Sequence, residues 1–282
     1  MKNSLPARIH LLPAKTAPYV IVIRRKPTKW FHVMRWNTST DEIEHGSWFN
    51  GHLYAKRSDV SFDGQWMVYL AMGSTGKTWN GVCRLPFLKT AVDVPGNGTW
   101  YGGGYWASEQ LLKLNAWHWP MLRGLRKKAA KVLPFQIEEF CATHNAEDLG
   151  VLYPRLQRDG WQRCGENYGK DNKLAGNKYR VECIGDDGWR HQLSKDHPVL
   201  RAQYIGYFEH GYTFRFWLEE YPNIIDQEVD WAGWDALGQL IFSRQGVLYK
   251  YSLDTISSKK PTTVIDLEHL TPPKNETGLS EK

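Results

Sequence analysis

The residues with the most pointed chemistry lie in Ala71-Met-Gly-Ser-Thr-Gly-Lys77-Thr78, which fits a relaxed phosphate-loop pattern with Ala in place of the first Gly. A working phosphate loop needs a helix next, because the helix's first amides hold the phosphates. Here Trp79-Asn-Gly-Val-Cys-Arg-Leu-Pro86 follows, which reads as turn and strand. A hairpin turn therefore accounts for Gly73, Gly76 and Lys77 better than a nucleotide site does. Acid pairs are the next candidates: Asp59 with Asp63, Asp186 with Asp187, Asp230 with Asp235. Two carboxylates facing each other across a sugar can hydrolyse a glycosidic bond. These aspartates stand at turns, however, where the side chain caps backbone amides, and that structural role is preferred.

The remaining chemistry is sparse. The ten histidines are scattered, and Cys141-x-x-His144 supplies at most two metal ligands. Structural zinc needs four, so neither a metal nor any other cofactor is expected. No nucleophile elbow or triad pattern occurs. One basic cluster stands out: Arg123, Arg126, Lys127, Lys128 and Lys131, set among Leu and Ala between Met121 and Val132. It could grip an acidic protein or a phosphate backbone, or form the solvated face of a helix. It is the preferred partner-binding site.

The elements that must position these residues are mostly strands. The chain has 282 residues, 41% of them hydrophobic, with 14 Trp and 14 Tyr. Large amphipathic rings suit strands and the packing between sheets, and also the stacking of sugars or bases. The net charge of +6 is a mild basic excess. Four cysteines without a C-x-x-C pair, no signal-peptide pattern and no long apolar run predict a cytoplasmic chain with free thiols and no membrane span.

Two distant stretches echo each other. Residues 59–69 read D-V-S-F-D-G-Q-W-M-V-Y, and residues 230–242 read D-W-A-G-W-D-A-L-G-Q-L-I-F. Both carry an aromatic-Asp pair, a turn ending in Gly-Gln and then a hydrophobic strand. Gly64 and Gly238 are 174 residues apart (238 minus 64), or four steps of about 44 residues, the length of a four-stranded propeller blade. The prediction is an all-β chain, a β-propeller of five blades of four-stranded antiparallel sheets. Four blades and a β-sandwich are the alternatives. Ring closure is expected to join the N-terminal strand to the last blade, which would remove exposed sheet edges. The domain is placed at 1–270, with an irregular insertion of one to three short helices at 107–150 and a disordered tail at 271–282.

The segment S-D-V-S-F-D-G-Q-W-M-V-Y resembles the blade motif of TolB-like and WD40-like propellers, in which an acid before the Gly caps the turn. R-L-Q-R-D-G-W at 155–161, D-D-G-W-R at 186–190 and the run from Val229 resemble a family of uncharacterised bacterial proteins. The resemblance implies a propeller and no particular activity. The function expected is that of a non-enzymatic monomeric scaffold, using one propeller face and the 107–150 segment to engage a protein partner. A carbohydrate-binding or glycoside-hydrolase-like propeller is the alternative, and nucleic-acid binding through the basic cluster is a third. A glycan site needs exposed Trp or Tyr lining the central funnel beside two carboxylates, and a funnel plugged by apolar side chains would remove that reading.

Overall fold

The computed structural model describes residues 5–95, 98–115, 131–140, 148–164, 188–208, 211–225, 229–257 and 260–273. Among them, five sheets follow one another along the chain and form a five-bladed propeller. The first blade holds β1 (Arg8–Pro13), β2 (Tyr19–Arg25), β3 (Trp30–Asn37) and β4 (Ile43–Asn50). The second holds β5 (His52–Leu53), a 3-10 turn η1 (Ala55–Arg57), β6 (Asp59–Val60), β7 (Trp66–Met72), β8 (Thr78–Arg84) and β9 (Thr90–Pro95). Both β5 and β6 pair with β7, so η1 interrupts what would be one inner strand and pushes residues 54–58 out of the sheet.

The third blade is built from β10 (Gly104–Ser108), β11 (Leu111–Asn115) and β12 (Gln136–Phe140). A helix, α1 (Leu149–Arg158), follows. The fourth blade holds β13 (Gln162–Cys164), β14 (Gly188–His191), β15 (Leu200–Phe208) and β16 (Gly211–Leu218). The fifth holds β17 (Val229–Trp234), β18 (Leu240–Arg244), β19 (Val247–Tyr251), a single helical turn α2 (Leu253–Ile256) and β20 (Thr262–Asp266).

Each sheet buries both faces, so the core is a set of layers between blades. Along β3 the two-residue period sends Phe31 and Val33 into the layer shared with the second blade, with Leu53, Met67 and Tyr69. Met34 and Trp36 go into the layer shared with the fifth, with Ile241, Leu248 and Leu267. The third layer joins Val68 and Val82 to Trp106, Leu112 and Ile137.

Three sequence-based expectations change. The segment 107–150, expected as a helical insertion, gives two strands to the third blade. Ser108-Glu-Gln is the turn between β10 and β11, and Ile137 sits in β12. Leu112, Leu114 and Ile137 point inward at a two-residue period, but runs this short do not distinguish that period from a helical one. The third sheet also departs from a four-stranded antiparallel blade. Three of its strands are described, and β11 and β12 are parallel. Conversely, the apolar run Val151-Leu-Tyr-Pro-Arg-Leu, which reads locally as a strand, lies in α1 with Pro154 inside the helix.

Ring closure differs as well. β1 pairs with β2 inside its own blade, and the last blade supplies all of its own strands. The seam is made by side chains instead. Ile9 donates its N–H to Asp230 Oδ2 at 3.2 Å, and Ser243 Oγ donates to Ile9 O at 2.9 Å. The buried Arg24 guanidinium reaches from β2 to the carbonyls of Leu267, Glu268 and Leu270 at 2.6, 2.9 and 2.9 Å.

The echo itself is structural. Gly64 and Gly238 both adopt left-handed backbone, at φ 73° and 74°, as a tight hairpin turn requires. Gly64 N–H donates to Ser61 O, and Gly238 N–H to Asp235 O. Ser61 Oγ accepts the amides of Gln65 and Trp66, as Asp235 Oδ1 accepts those of Leu237 and Gln239. The matching caps are therefore Ser61 and Asp235, with Asp63 assisting by accepting the Gln65 amide at 3.0 Å. The apparent phosphate loop is the β7–β8 hairpin. Gly73 N–H donates to Lys77 O and β8 begins at Thr78.

Candidate ligand-binding channel

The inner parts of the blades surround a cavity of about 610 Å³. β1 runs along it from Arg8 to Pro13, about 17 Å at the usual rise of a strand. Helix α1 forms the opposing wall. Leu152, Arg155, Leu156 and Asp159 recur at i, i+3, i+4 and i+7, one face of a helix, and all four line the cavity. Leu149 and Tyr153, on another face, pack against Trp189 and Leu218 of the fourth blade.

The helix is held at both ends by ion pairs. At its start, Arg57 Nε donates to Asp148 Oδ1 at 2.9 Å, while the same guanidinium bonds Thr99 O and lies over Tyr54. At its end, the Arg158 guanidinium forks onto Asp59, with Nη2 to Oδ1 at 3.1 Å and Nη1 to Oδ2. Arg158 also donates to Trp106 O at 2.8 Å, and Asp59 Oδ2 accepts the Trp106 amide at 2.8 Å. Helix and two blades thus meet on one buried carboxylate. Arg158 is held firmly charged there: Asp59 and Asp159 outweigh the burial that acts to lower its pKa.

Inside the channel, Arg155 lies 4% exposed and donates to Ser58 O. Its Nη2 is 3.5 Å from His10 Nε2. A guanidinium can only donate, so this geometry makes Nε2 the acceptor and keeps the imidazole neutral. Burial, then Arg155 and Lys56, hold the His10 pKa well below the usual range.

The two ends of the channel differ. Near Arg8 stand Arg25, Lys56 and Asp230. Burial pulls the Lys56 ammonium down to about 8, against the raising effect of Asp148, and its Nζ lies 5.8 Å from the Phe214 ring centre. The Asp230 carboxyl is pushed up to about 7 by burial, against the Ile9 amide and Arg8, which both favour the anion. The far end, toward Lys15, is aromatic. Trp161 lies against His191 with ring centres 5.1 Å apart, and Trp234 lines the cavity beside them. His191 is 6% exposed, its Nδ1 has no hydrogen-bond partner, and burial, His197 and Lys15 pull its pKa down to about 4. Between the ends, Trp231 stands edge-on to His10 at 6.4 Å. Gly233 makes this possible, because a Cβ there would lie 2.2 Å from the Trp231 ring.

Of the basic cluster, Arg123, Arg126, Lys127 and Lys128 lie outside the described residues, and Lys131 is exposed in the turn before β12, away from the channel. Asp63 does not face Asp59 across a site, since its carboxylate serves the Ser61 turn. Asp186 and Asp187 lie outside the described residues. Asp59, Asp230 and Asp235 do reach the channel, Asp235 spending Oδ1 on the Leu237 and Gln239 amides of its turn. The residues the sequence did not single out are Arg8, His10, Arg25, Lys56 and Arg155. Nothing in their local spacing marks them, because η1, β1 and α1 bring them together from distant positions. Among the described residues no three metal-ligating side chains converge, and no helix is long and apolar enough to cross a membrane.

No protein-family description matches the chain, and no curated protein is similar to it at a significant level. Among solved structures, the crystal structure of an uncharacterized protein from Listeria monocytogenes EGD-e is similar in part. It shows 10% identity and a TM-score of 0.33, with 95% of this chain and 85% of that chain covered. A likeness at this level carries no argument about function.

Proposed function

We propose that this chain is a carbohydrate-binding propeller whose ligand enters the central channel. The observation that carries the reading is the channel itself: an open cavity of about 610 Å³ with the part-exposed Tyr54 and Trp231 on its walls, the buried Trp161 and Trp234 behind them, and Asp148, Asp159 and Asp230 beside. Among the described residues, the apolar part of the lining leaves this space open. Pockets of this size commonly take small ligands, and aromatic faces beside a few polar groups suit sugar rings. The capped turn at Ser61 supports the TolB-like and WD40-like resemblance as part of the same proposal.

Binding fits better than hydrolysis. Asp59 and Asp230, the acids of the two echoes, both accept an amide from the first strand of the next blade around the ring. Their shared work is joining blades, which leaves neither free as half of a hydrolytic pair.

The test is titration with neutral and acidic mono-, di- and trisaccharides, followed by calorimetry and by the fluorescence of the tryptophans lining the channel. Saturable binding with a fluorescence change is expected. No saccharide bound more tightly than millimolar would remove the reading.

A further inference from the structure

We infer that the Arg8 end of the channel is an oxyanion subsite, so that the ligand is an acidic saccharide, either a uronate or a sugar phosphate. The inference rests on the carbohydrate reading for the sugar and on separate observations for the charge.

Arg8 and Arg25 are direct cross-strand partners in the antiparallel β1–β2 pair, and both line the cavity. Side chains opposite each other in such a pair lie on the same face of the sheet, and like charges placed there destabilise it. Among the described residues neither guanidinium has a carboxylate within ion-pair distance. Arg25 spends its Nε on Thr28 O at 2.9 Å and lies over the Phe31 ring, which fixes its position without neutralising it. Lys56 lies at the same end, near enough for Arg8 to disfavour its charge while Asp148 favours it.

The nearby acids do not pair with Arg8 or Arg25. Asp148 is engaged by Arg57. Asp230 spends Oδ2 on the Ile9 amide, and its pKa is raised, which weakens its negative charge. Two forked guanidiniums on one face suit an oxyanion, since guanidinium matches carboxylate and phosphate oxygens in pairs. From there the sugar rings would extend along β1 toward Trp231, Trp161 and Trp234.

The test compares wild type with Arg8→Ser and Arg25→Ser, using calorimetry and thermal melts. The ligands are a neutral disaccharide, its uronate counterpart, its phosphorylated counterpart and inorganic phosphate alone. Wild type should bind one of the acidic sugars at least ~10-fold more tightly than the neutral one, the scale of one charge-assisted contact. Arg8→Ser should erase that preference, weakening acidic-sugar binding at least ~10-fold more than neutral-sugar binding. It should also melt at an equal or higher temperature without ligand, because a like-charge pair is removed. The uronate and phosphate arms decide which oxyanion is preferred. Phosphate binding that depends on Arg8, with no sugar bound, would keep the subsite and dismiss the carbohydrate reading. Equal binding of neutral and acidic sugars, or a preference that survives both variants, would overturn the subsite and leave the carbohydrate reading standing.

Discussion

Asp59 accepts the Trp106 amide at 2.8 Å, and Asp230 accepts the Ile9 amide at 3.2 Å. In each case an inner aspartate of one blade fastens the first strand of the next. Only Asp59 is also clamped by Arg158, which is 9% exposed in its side chain.

Replacing Asp59 should therefore be costly. Asp59→Ala leaves a buried guanidinium short of its main partner and the Trp106 amide without an acceptor, a loss on the order of 3–5 kcal/mol. Asp59→Asn keeps an acceptor for the amide and should recover part of that loss. Denaturant midpoints of the two variants check the order, and equal stability would show that the Trp106 bond contributes nothing.

Asp230 predicts a pH effect of definite sign. Its folded pKa is raised from 3.8 to about 7, so between those values the folded chain keeps a proton that the unfolded chain releases. Its contribution favours folding below about pH 4 and is lost as pH rises toward 7. Asp230→Asn removes the titration while keeping an acceptor for Ile9. Its stability relative to wild type should climb across pH 4–7. A flat difference across that range would mean that Asp230 ionises normally.

His32 predicts a stabilising substitution. It is 2% exposed, neither ring nitrogen has a partner, and it stacks on Trp48 at 4.1 Å and on His45 at 5.1 Å. Burial, then His45 and Arg24, pull its pKa down to about 3. His32→Phe keeps the stacking and removes two unsatisfied polar atoms, for a gain of about 1–2 kcal/mol. The gain should widen as pH falls below 6.5, where the unfolded histidine takes up a proton that the folded one refuses. A melting temperature below wild type at pH 7 would contradict this account.

Two glycines in similar backbone conformations should respond differently. Gly76 has φ 82° with nothing within 4 Å of a built Cβ, whereas Gly103 has φ 78° with Arg57 O at 2.2 Å. Gly76→Ala should cost only the left-handed backbone term, about 1–2 kcal/mol. Gly103→Ala adds a backbone collision beside the residue that anchors α1, and should fold poorly or not at all. Melting curves compare the two directly.

What was legible in the sequence was what repeats locally. The Ser61 and Asp235 turns announce themselves through Gly64 and Gly238, and their spacing gives the blade count. Residues 111–115 and 136–140 were not legible as strands, because their pairing is parallel and non-local, and only tertiary contacts with Val68 and Trp106 settle it. Nor was α1 legible, since Val151-Leu-Tyr-Pro is an apolar run interrupted by a residue poor in helices. The channel was least visible. Arg8 and Arg155 are separated by the first three blades, and Lys56 turns inward only because η1 breaks an inner strand. No window of sequence holds these residues together.

All five sheets draw their hydrogen bonds from their own stretch of chain. During synthesis, the first blade can finish pairing while the fifth is still unmade. The layer formed by Leu11, Val22 and Trp36 must then stay wet until Ile241, Leu248 and Leu267 leave the ribosome. The nascent protein therefore carries one greasy flank for most of its making, and the joint that covers it is the last to set.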